Sequence, residues 1–288
     1  MNKPRTITQI IEPQYVIEGA GVRLRRSIAP RVSNTFDPFL LFDHFAFNDP
    51  IEGPIRGFPM HPHRGIETVT YMLEGSVNHR DSLGNSGLIG PGDVQWMTSG
   101  RGILHEEMPR RGPDGKIYGF QLWVNLPAKL KMTQPRYQEV KEGSIPTIKV
   151  NGASIRVVAG NAFGQKGPVT DIAASPIYMD VRLDPDSKFS LPIPINHTTL
   201  AYVFDGEAIF AGDSLRSEEV TLESVRMVRL GDGDEIRVRT ENQPVRFMLF
   251  SGKPIGEPIV PYGPFVMNSR EEIEQALADL RNGTFVTN

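Results

Sequence analysis

Cysteine is absent from all 288 residues, which excludes disulfides, thiolate metal ligands and a thiol nucleophile. No run of Lys or Arg exceeds two or three residues and the formal net charge is −3. The electrostatic footprint for gripping a phosphate backbone is therefore missing, and direct nucleic-acid binding is not expected. No apolar run approaches the roughly 20 residues that span a bilayer, so no membrane association is expected. The opening MNKPRTITQIIEPQ lacks the apolar core of a signal peptide, and a cytoplasmic location is the expectation. Long helices are excluded as well, because 28 Gly and 24 Pro punctuate the chain every few residues.

What remains is an ordinary globular composition, 39% hydrophobic and 23% charged, in a chain long enough for two domains. Short runs rich in β-branched and aromatic residues read as strands: Glu67 to Leu73, Val94 to Met97, Ile117 to Val124, Ser154 to Val158, Ile177 to Leu183, Thr199 to Phe204, Glu235 to Val238 and Val245 to Phe250. Turns at Glu74-Gly75, Asp205-Gly206 and Gly231-Asp232-Gly233-Asp234 close several of them. One segment reads as a helix. Ser269 caps it, Glu272 completes a capping box, Ile273, Ala276, Leu277 and Leu280 form an apolar stripe, and Gly283 ends it. The class is all-β with a short C-terminal helix.

The strands hint at duplication. Tyr71 before Glu74-Gly75 matches Tyr202 before Asp205-Gly206, and Gly90-Pro91-Gly92-Asp93 matches Gly231-Asp232-Gly233-Asp234. Two copies of one β-unit, with an insertion in the second, account for both, although such features also recur by chance in an all-β chain. The boundary falls near Glu142 to Pro146, giving domains 1–143 and 144–288.

Successive side chains of a strand point to opposite faces, so residues two apart project together. His61-Pro62-His63 and His105-Glu106-Glu107 each place two ligand-type side chains on one face. Three imidazoles and a carboxylate suit a first-row divalent metal and leave positions open for water or substrate, as catalytic sites do. Gly57, Gly100 and Gly102 flank the pairs, where small residues let the chain approach a buried site. His44, His79 and His197 have no partner at ligand spacing and read as surface or core-edge residues.

These motifs carry a resemblance. His61-x-His63, then Glu67 and Gly75, is similar to the first cupin motif, and Gly92-Asp93 leading to Gly102-x-x-His105 is similar to the second. More narrowly, HPHRGIETVTYMLEG, PGDVQWMTSGRGILHEEMP, LWVNLP and GPFVMNSREEIEQALADLRNGTF resemble the pirin family over nearly the whole chain. Gly100 replaces the proline and Pro109 the asparagine usual in the second cupin motif, as in pirins. The resemblance implies two tandem cupin barrels of the jelly-roll type, with metal in the N-terminal one. It assigns His61, His63, His105 and Glu107 as ligands of Fe(II), with Mn, Ni, Cu, Co and Zn as alternatives. Most cupins use the carboxylate of the first motif, here Glu67; same-face spacing favours Glu107 and makes Glu67 a second-layer or cavity residue.

The duplication supplies a further expectation. Carrying the two matches across places the counterparts of His61 and His63 at Pro192 and Pro194, and those of His105 and Glu107 at Arg246 and Met248. None replaces a ligand, and His197 falls opposite Ile66, so the second barrel is expected to be metal-free.

The resemblance implies two classes of function. One is a metal-dependent dioxygenase similar to quercetin 2,3-dioxygenases, acting with O₂ on a flavonol or enediol, with Glu107 as the catalytic base. The other is a redox sensor or regulator acting on a protein partner. A sugar-phosphate isomerase would need a cationic grip; Arg56, Arg64 and Arg101 lie near the site in sequence but read as barrel-rim salt-bridge residues.

Overall fold

The computed structural model describes residues 3–47, 57–211 and 219–286. In chain order the first strands are β1 (Ile7–Ile11), β2 (Gln14–Glu18), β3 (Val22–Ile28), β4 (Phe39–Phe47), β5 (Phe58–His63), β6 (Ile66–Glu74), β7 (Ser76–Asp81), β8 (Ser86–Ile89), β9 (Val94–Thr98), β10 (Ile103–Arg110), β11 (Ile117–Asn125) and β12 (Arg136–Val140). A single-turn helix α1 (Ala128–Lys131) separates the last two. There follow β13 (Thr147–Val150), β14 (Ala153–Ala159), the small hairpin β15 (Asn161–Ala162) and β16 (Gln165–Lys166), β17 (Ile177–Leu183), β18 (Lys188–Pro192), β19 (Thr198–Phe210), β20 (Val220–Glu223), β21 (Arg226–Leu230), β22 (Glu235–Arg239) and β23 (Val245–Gly252). The hairpin β24 (Val260–Tyr262) and β25 (Phe265–Met267) and helix α2 (Arg270–Asn282) end the chain. Among the described residues no helix is long and apolar enough to cross a membrane.

The chain divides into two compact units. The first barrel is Gln14–Glu142 with Ile255–Asn288, and the second is Met1–Pro13 with Gly143–Pro254. The interior break falls between Glu142 and Gly143, and each chain end lies in the unit formed mainly by the other half of the chain. The N-terminal strand β1 pairs with β21, and the C-terminal hairpin and helix belong with the histidine-bearing strands. Pairing partners this remote leave no trace in local periodicity.

Within the first barrel one sheet runs β12-β9-β6-β11-β4-β3-β2 and the other β5-β10-β7-β8. The second barrel repeats this plan: β1-β21-β19-β23-β17-β14-β13, with β18-β22 and β20 joined to the far half of β19. The expected turn at Asp205-Gly206 is a corner instead. β19 runs straight through it with a register shift at Val203/Asp205 and passes from one sheet to the other. Gly75 does the same between β6 and β7, which pair with different neighbours. Both glycines have positive φ, +70° and +74°, which glycine adopts without steric cost.

This topology corrects the repeat register in both halves. Pro192 and Pro194 are exposed and alternate with the inward Leu191 and Ile193, so they are not the inward counterparts of His61 and His63. Gly231-Asp232-Gly233-Asp234 lies between β21 and β22, so it corresponds to the loop before β10, and the counterpart of β10 is β22 rather than the strand holding Arg246 and Met248. The inward residues of β18 and β22 are Phe189, Leu191, Ile236 and Val238, which join Val203, Phe210, Phe247 and Leu249 in a closed apolar core. Burying each such side chain contributes about 1.5–3 kcal/mol to stability.

Helix α2 forms as its sequence dictates. Ser269 Oγ accepts from Glu272 N at 3.2 Å, the Glu272 carboxylate accepts from Ser269 N at 3.0 Å, and Gly283 closes the helix in the left-handed region. Ile273 and Ala276 pack with Phe265, Met267 and Phe285.

Candidate metal centre

Strands β5 and β10 are antiparallel neighbours in a register that sets His105 opposite His61 and Ile103 opposite His63. Along β10 the alternation is clear: Ile103, His105 and Glu107 are buried, while Leu104, Glu106 and Met108 are partly exposed. Period-two geometry therefore brings three imidazoles from two strands together. Their ring centroids form a triangle of 4.4, 4.9 and 5.0 Å, and one ring nitrogen of each lies within 4.8 Å of the others.

Hydrogen bonding fixes which nitrogens face inward. His61 Nδ1 lies 2.9 Å from Pro59 O and His63 Nδ1 lies 3.2 Å from Pro264 O. A carbonyl only accepts, so both Nδ1 atoms carry a proton, and Nε2 is the ring nitrogen that each imidazole turns toward the other. Those two Nε2 atoms stand 3.1 Å apart. Among the described residues, His105, 1% exposed, has no hydrogen-bond partner on either ring nitrogen. Burial, and then the neighbouring imidazoles His105 and His61, hold His63 well below the usual imidazole range; burial, then His61 and His79, do the same for His105. Two nitrogens bound in cis to one metal ion at ~2.1 Å lie roughly 3 Å apart, the separation found here. The donor set fits a divalent transition metal.

Glu107 projects from β10 on the same side as His105, but its carboxylate is not in the close imidazole group. One oxygen accepts from Thr70 Oγ1 and the other from Gln121 Nε2, each at 2.9 Å. Glu67 lies elsewhere. Thr70 and Gln121 are register partners facing the histidines, so Glu67, an odd number of residues from Thr70 on β6, points to the opposite face, where it accepts from Thr98 Oγ1 at 2.8 Å. It is buried there, which pushes its carboxyl up to about 7, and it is not a cavity residue. The expectation that made it one overlooked this parity.

His61 and His63 open onto a cavity of about 550 Å³. Leu41, Phe58, Met60 and Trp123 supply an apolar wall, and the Trp123 ring packs edge-on against His63 at 5.1 Å. A polar wall is made by Gln121, Asp43, Arg26 and Glu18. Arg26 clamps Asp43 with two hydrogen bonds of 2.8 and 2.7 Å and reaches Glu18 at 2.6 Å. Burial pushes Asp43 up to about 6 against the pull of that guanidinium.

Several residues are placed otherwise than their spacing suggests. His44 and His79 are buried, at 1% and 2% exposure, so of the two expected placements, surface or core edge, the surface one does not hold. His44 packs against Tyr118 and Phe120, and His79 meets Glu139 at 3.3 Å. His197 is half-buried. Arg64 forms the expected ion pair, with Asp279 at 2.6 Å, but at 3% side-chain exposure it is no rim residue. Arg101 donates to Gln134, and Arg56 lies outside the described residues. The part of the site that spacing could not reveal is Pro264, whose carbonyl arrives from the other end of the first barrel's chain.

Comparison with known proteins gives a consistent result. The family model Pirin matches residues 21–124, and the model for the Pirin C-terminal cupin domain matches residues 178–286. A pirin-like protein of Caulobacter vibrioides is 42% identical over 283 residues, 98% of this chain and 99% of its own. Pirin of Homo sapiens is 42% identical over 285 residues, 98% of this chain and 94% of its own. Among solved structures, a quercetin 2,3-dioxygenase from Acinetobacter baumannii superposes with a TM-score of 0.87 at 34% identity, covering 99% of both chains.

Proposed function

The chain belongs to the pirin family and has its bicupin fold, and from that premise we propose that its first barrel binds one Fe(II) and catalyses ring-opening dioxygenation of a flavonol or related enediol. The observation that carries the proposal is the pair of Nε2 atoms 3.1 Å apart, with the buried His105 ring 4.4 and 5.0 Å from the two imidazoles. His61, His63 and His105 would hold the ion. Glu107 would be its fourth ligand, because an oxygen accepting one hydrogen bond keeps a second lone pair. When bound, the ion supplies open coordination positions for a chelating enediolate and one-electron chemistry with O₂.

The chain's own residues do the rest. The apolar wall of Leu41, Phe58 and Trp123 accommodates a flat aromatic body and excludes water. Gln121, Asp43 and Glu18 offer acceptors to hydroxyl groups away from the reacting ring, and Arg26 fixes both carboxylates. Glu107, oriented by Thr70 and Gln121, takes the proton from the substrate hydroxyl as it ionises. We propose the second barrel as a metal-free structural unit, since apolar side chains fill the positions equivalent to the ligands.

The test is O₂ uptake by protein loaded in turn with iron, manganese, nickel, copper, cobalt and zinc, with quercetin as probe. Metal-dependent uptake with ring cleavage is expected. If no loaded form consumed O₂ with several flavonols or enediols, the dioxygenase reading would give way to a metal-binding regulator of a protein partner.

A further inference from the structure

Lys131 ends helix α1, is 1% exposed, and meets no carboxylate at hydrogen-bond distance among the described residues. Its ammonium donates instead to three oxygens: Gly65 O at 2.9 Å, Asn125 Oδ1 at 2.8 Å and Val266 O at 2.7 Å. Three donors meet three acceptors, so the buried charge is fully satisfied. Two of those acceptors matter to the metal centre. Gly65 follows the His61-Pro62-His63 strand by two residues, and Val266 follows Pro264 by two. One ammonium therefore ties the backbone that carries His63 to the backbone that carries the carbonyl on His63 Nδ1.

Other contacts run the same way. Val266 N donates to Arg64 O at 3.2 Å, closing a parallel bridge of Arg64 with Phe265. The Arg64 guanidinium donates to Arg101 O, pairs with Asp279 on α2 at 2.6 Å, and stacks over the Phe285 ring with its carbon 4.4 Å from the centroid. A side chain at Gly65 would collide with Val266 O, and one at Gly102 would stand 2.8 Å from Phe285 O. The terminal segment is thus seated on both histidine-bearing loops at backbone distance.

We propose that Lys131 is a positioning residue for the metal centre: it holds the β24–β25 hairpin so that Pro264 O locks His63 in the tautomer and ring orientation that aims Nε2 at the ion. Arg64 and Asp279 brace the same hairpin from α2. This role rests on the metal-binding reading above, and its failure is distinguishable from the failure of that reading.

The experiment titrates Co(II) into full-length apoprotein, reading its dissociation constant by chelator competition and its visible absorption spectrum. Lys131→Met keeps the length and apolar stem of the side chain and removes the three donors. Loss of an outer hydrogen bond to a metal-bound imidazole typically costs about 10–100-fold in affinity, and that is the rise expected, with a changed Co(II) spectrum. A lysine that merely stabilised the fold would lower the apoprotein melting temperature and leave both metal readouts alone. Folded Lys131→Met with a dissociation constant within about twofold of wild type would overturn the proposal. Should that variant not fold, Asp279→Asn, which touches no proposed ligand, carries the test: weaker Co(II) binding supports the brace and unchanged binding overturns it. Wild-type protein taking up no Co(II) would remove the metal reading itself.

Discussion

At the scale of single residues, the two carboxylates Glu67 and Glu107 separate by strand parity, and their substitutions should separate too. Glu107→Gln keeps an oxygen donor but loses the base, and its amide cannot accept from both Thr70 and Gln121. Its rate should fall by about 10²–10⁴-fold beyond any loss of metal, measured as O₂ uptake per bound metal. Full rate and full metal would remove the base role and leave Glu107 at most a ligand. Glu67→Gln should leave metal content unchanged and act on stability alone. The folded pKa of Glu67, about 7, lies above its ordinary 4.5, so the folded state holds the extra proton between those values. Wild-type stability is therefore lost as pH rises from about 4.5 through 7, by on the order of 3 kcal/mol at most. The glutamine variant lacks that loss, and paired denaturant titrations across this range should show it gaining on wild type as pH rises. Curves that stay parallel would refute the burial argument.

Secondary structure and the inward rows were largely legible at the scale of elements. All eight expected strands and the terminal helix are present, because β-branched runs, a capping box and a terminal glycine are local signals. His61, His63 and His105 were legible for the same reason, since a period of two needs no knowledge of the partner strand. What failed depended on pairing. Glu74-Gly75 and Asp205-Gly206 look like hairpin turns, yet each is a corner where one strand leaves a sheet for another. Gly206 sits at φ +74°, and a Cβ there would collide with Pro244 O. Gly206→Ala should therefore cost about 1–3 kcal/mol through strain and clash at the bend, seen as a lower denaturant midpoint with an unchanged slope. Metal affinity should not move, because Gly206 belongs to the second barrel. A neutral alanine would mean that the corner tolerates ordinary backbone, contrary to the geometry.

Over the whole molecule the duplication is symmetrical in a way that no contiguous boundary expresses. β1 precedes the β2–β3 hairpin as β12 precedes the β13–β14 hairpin. Each of these leading strands joins the barrel of the other repeat, β1 on β21 and β12 on β9. Arg5, just before β1, adds four donor contacts of 2.7–3.1 Å to the carbonyls of Pro194, Ile195, His197 and Gly231. In the other direction, residues 255–286 bring Pro264 O to His63, Val266 O to Lys131 and Asp279 to Arg64. A fragment 1–143 would thus keep all four proposed ligands yet lose the carbonyl that orients one of them, while β1 would have no β21 to pair with. Fragment 144–288 would open the β21 edge to solvent and lose the four Arg5 contacts, each lost hydrogen bond removing about 0.5–1.5 kcal/mol. Against a typical domain stability of about 5–15 kcal/mol, neither half should melt cooperatively alone. Co-expressed, they should associate through the exchanged strands, and metal by elemental analysis should appear only in the complex. A fragment 1–143 that melted cooperatively and carried about one metal per chain would show that the exchange is dispensable, and that the C-terminal segment does not build the site.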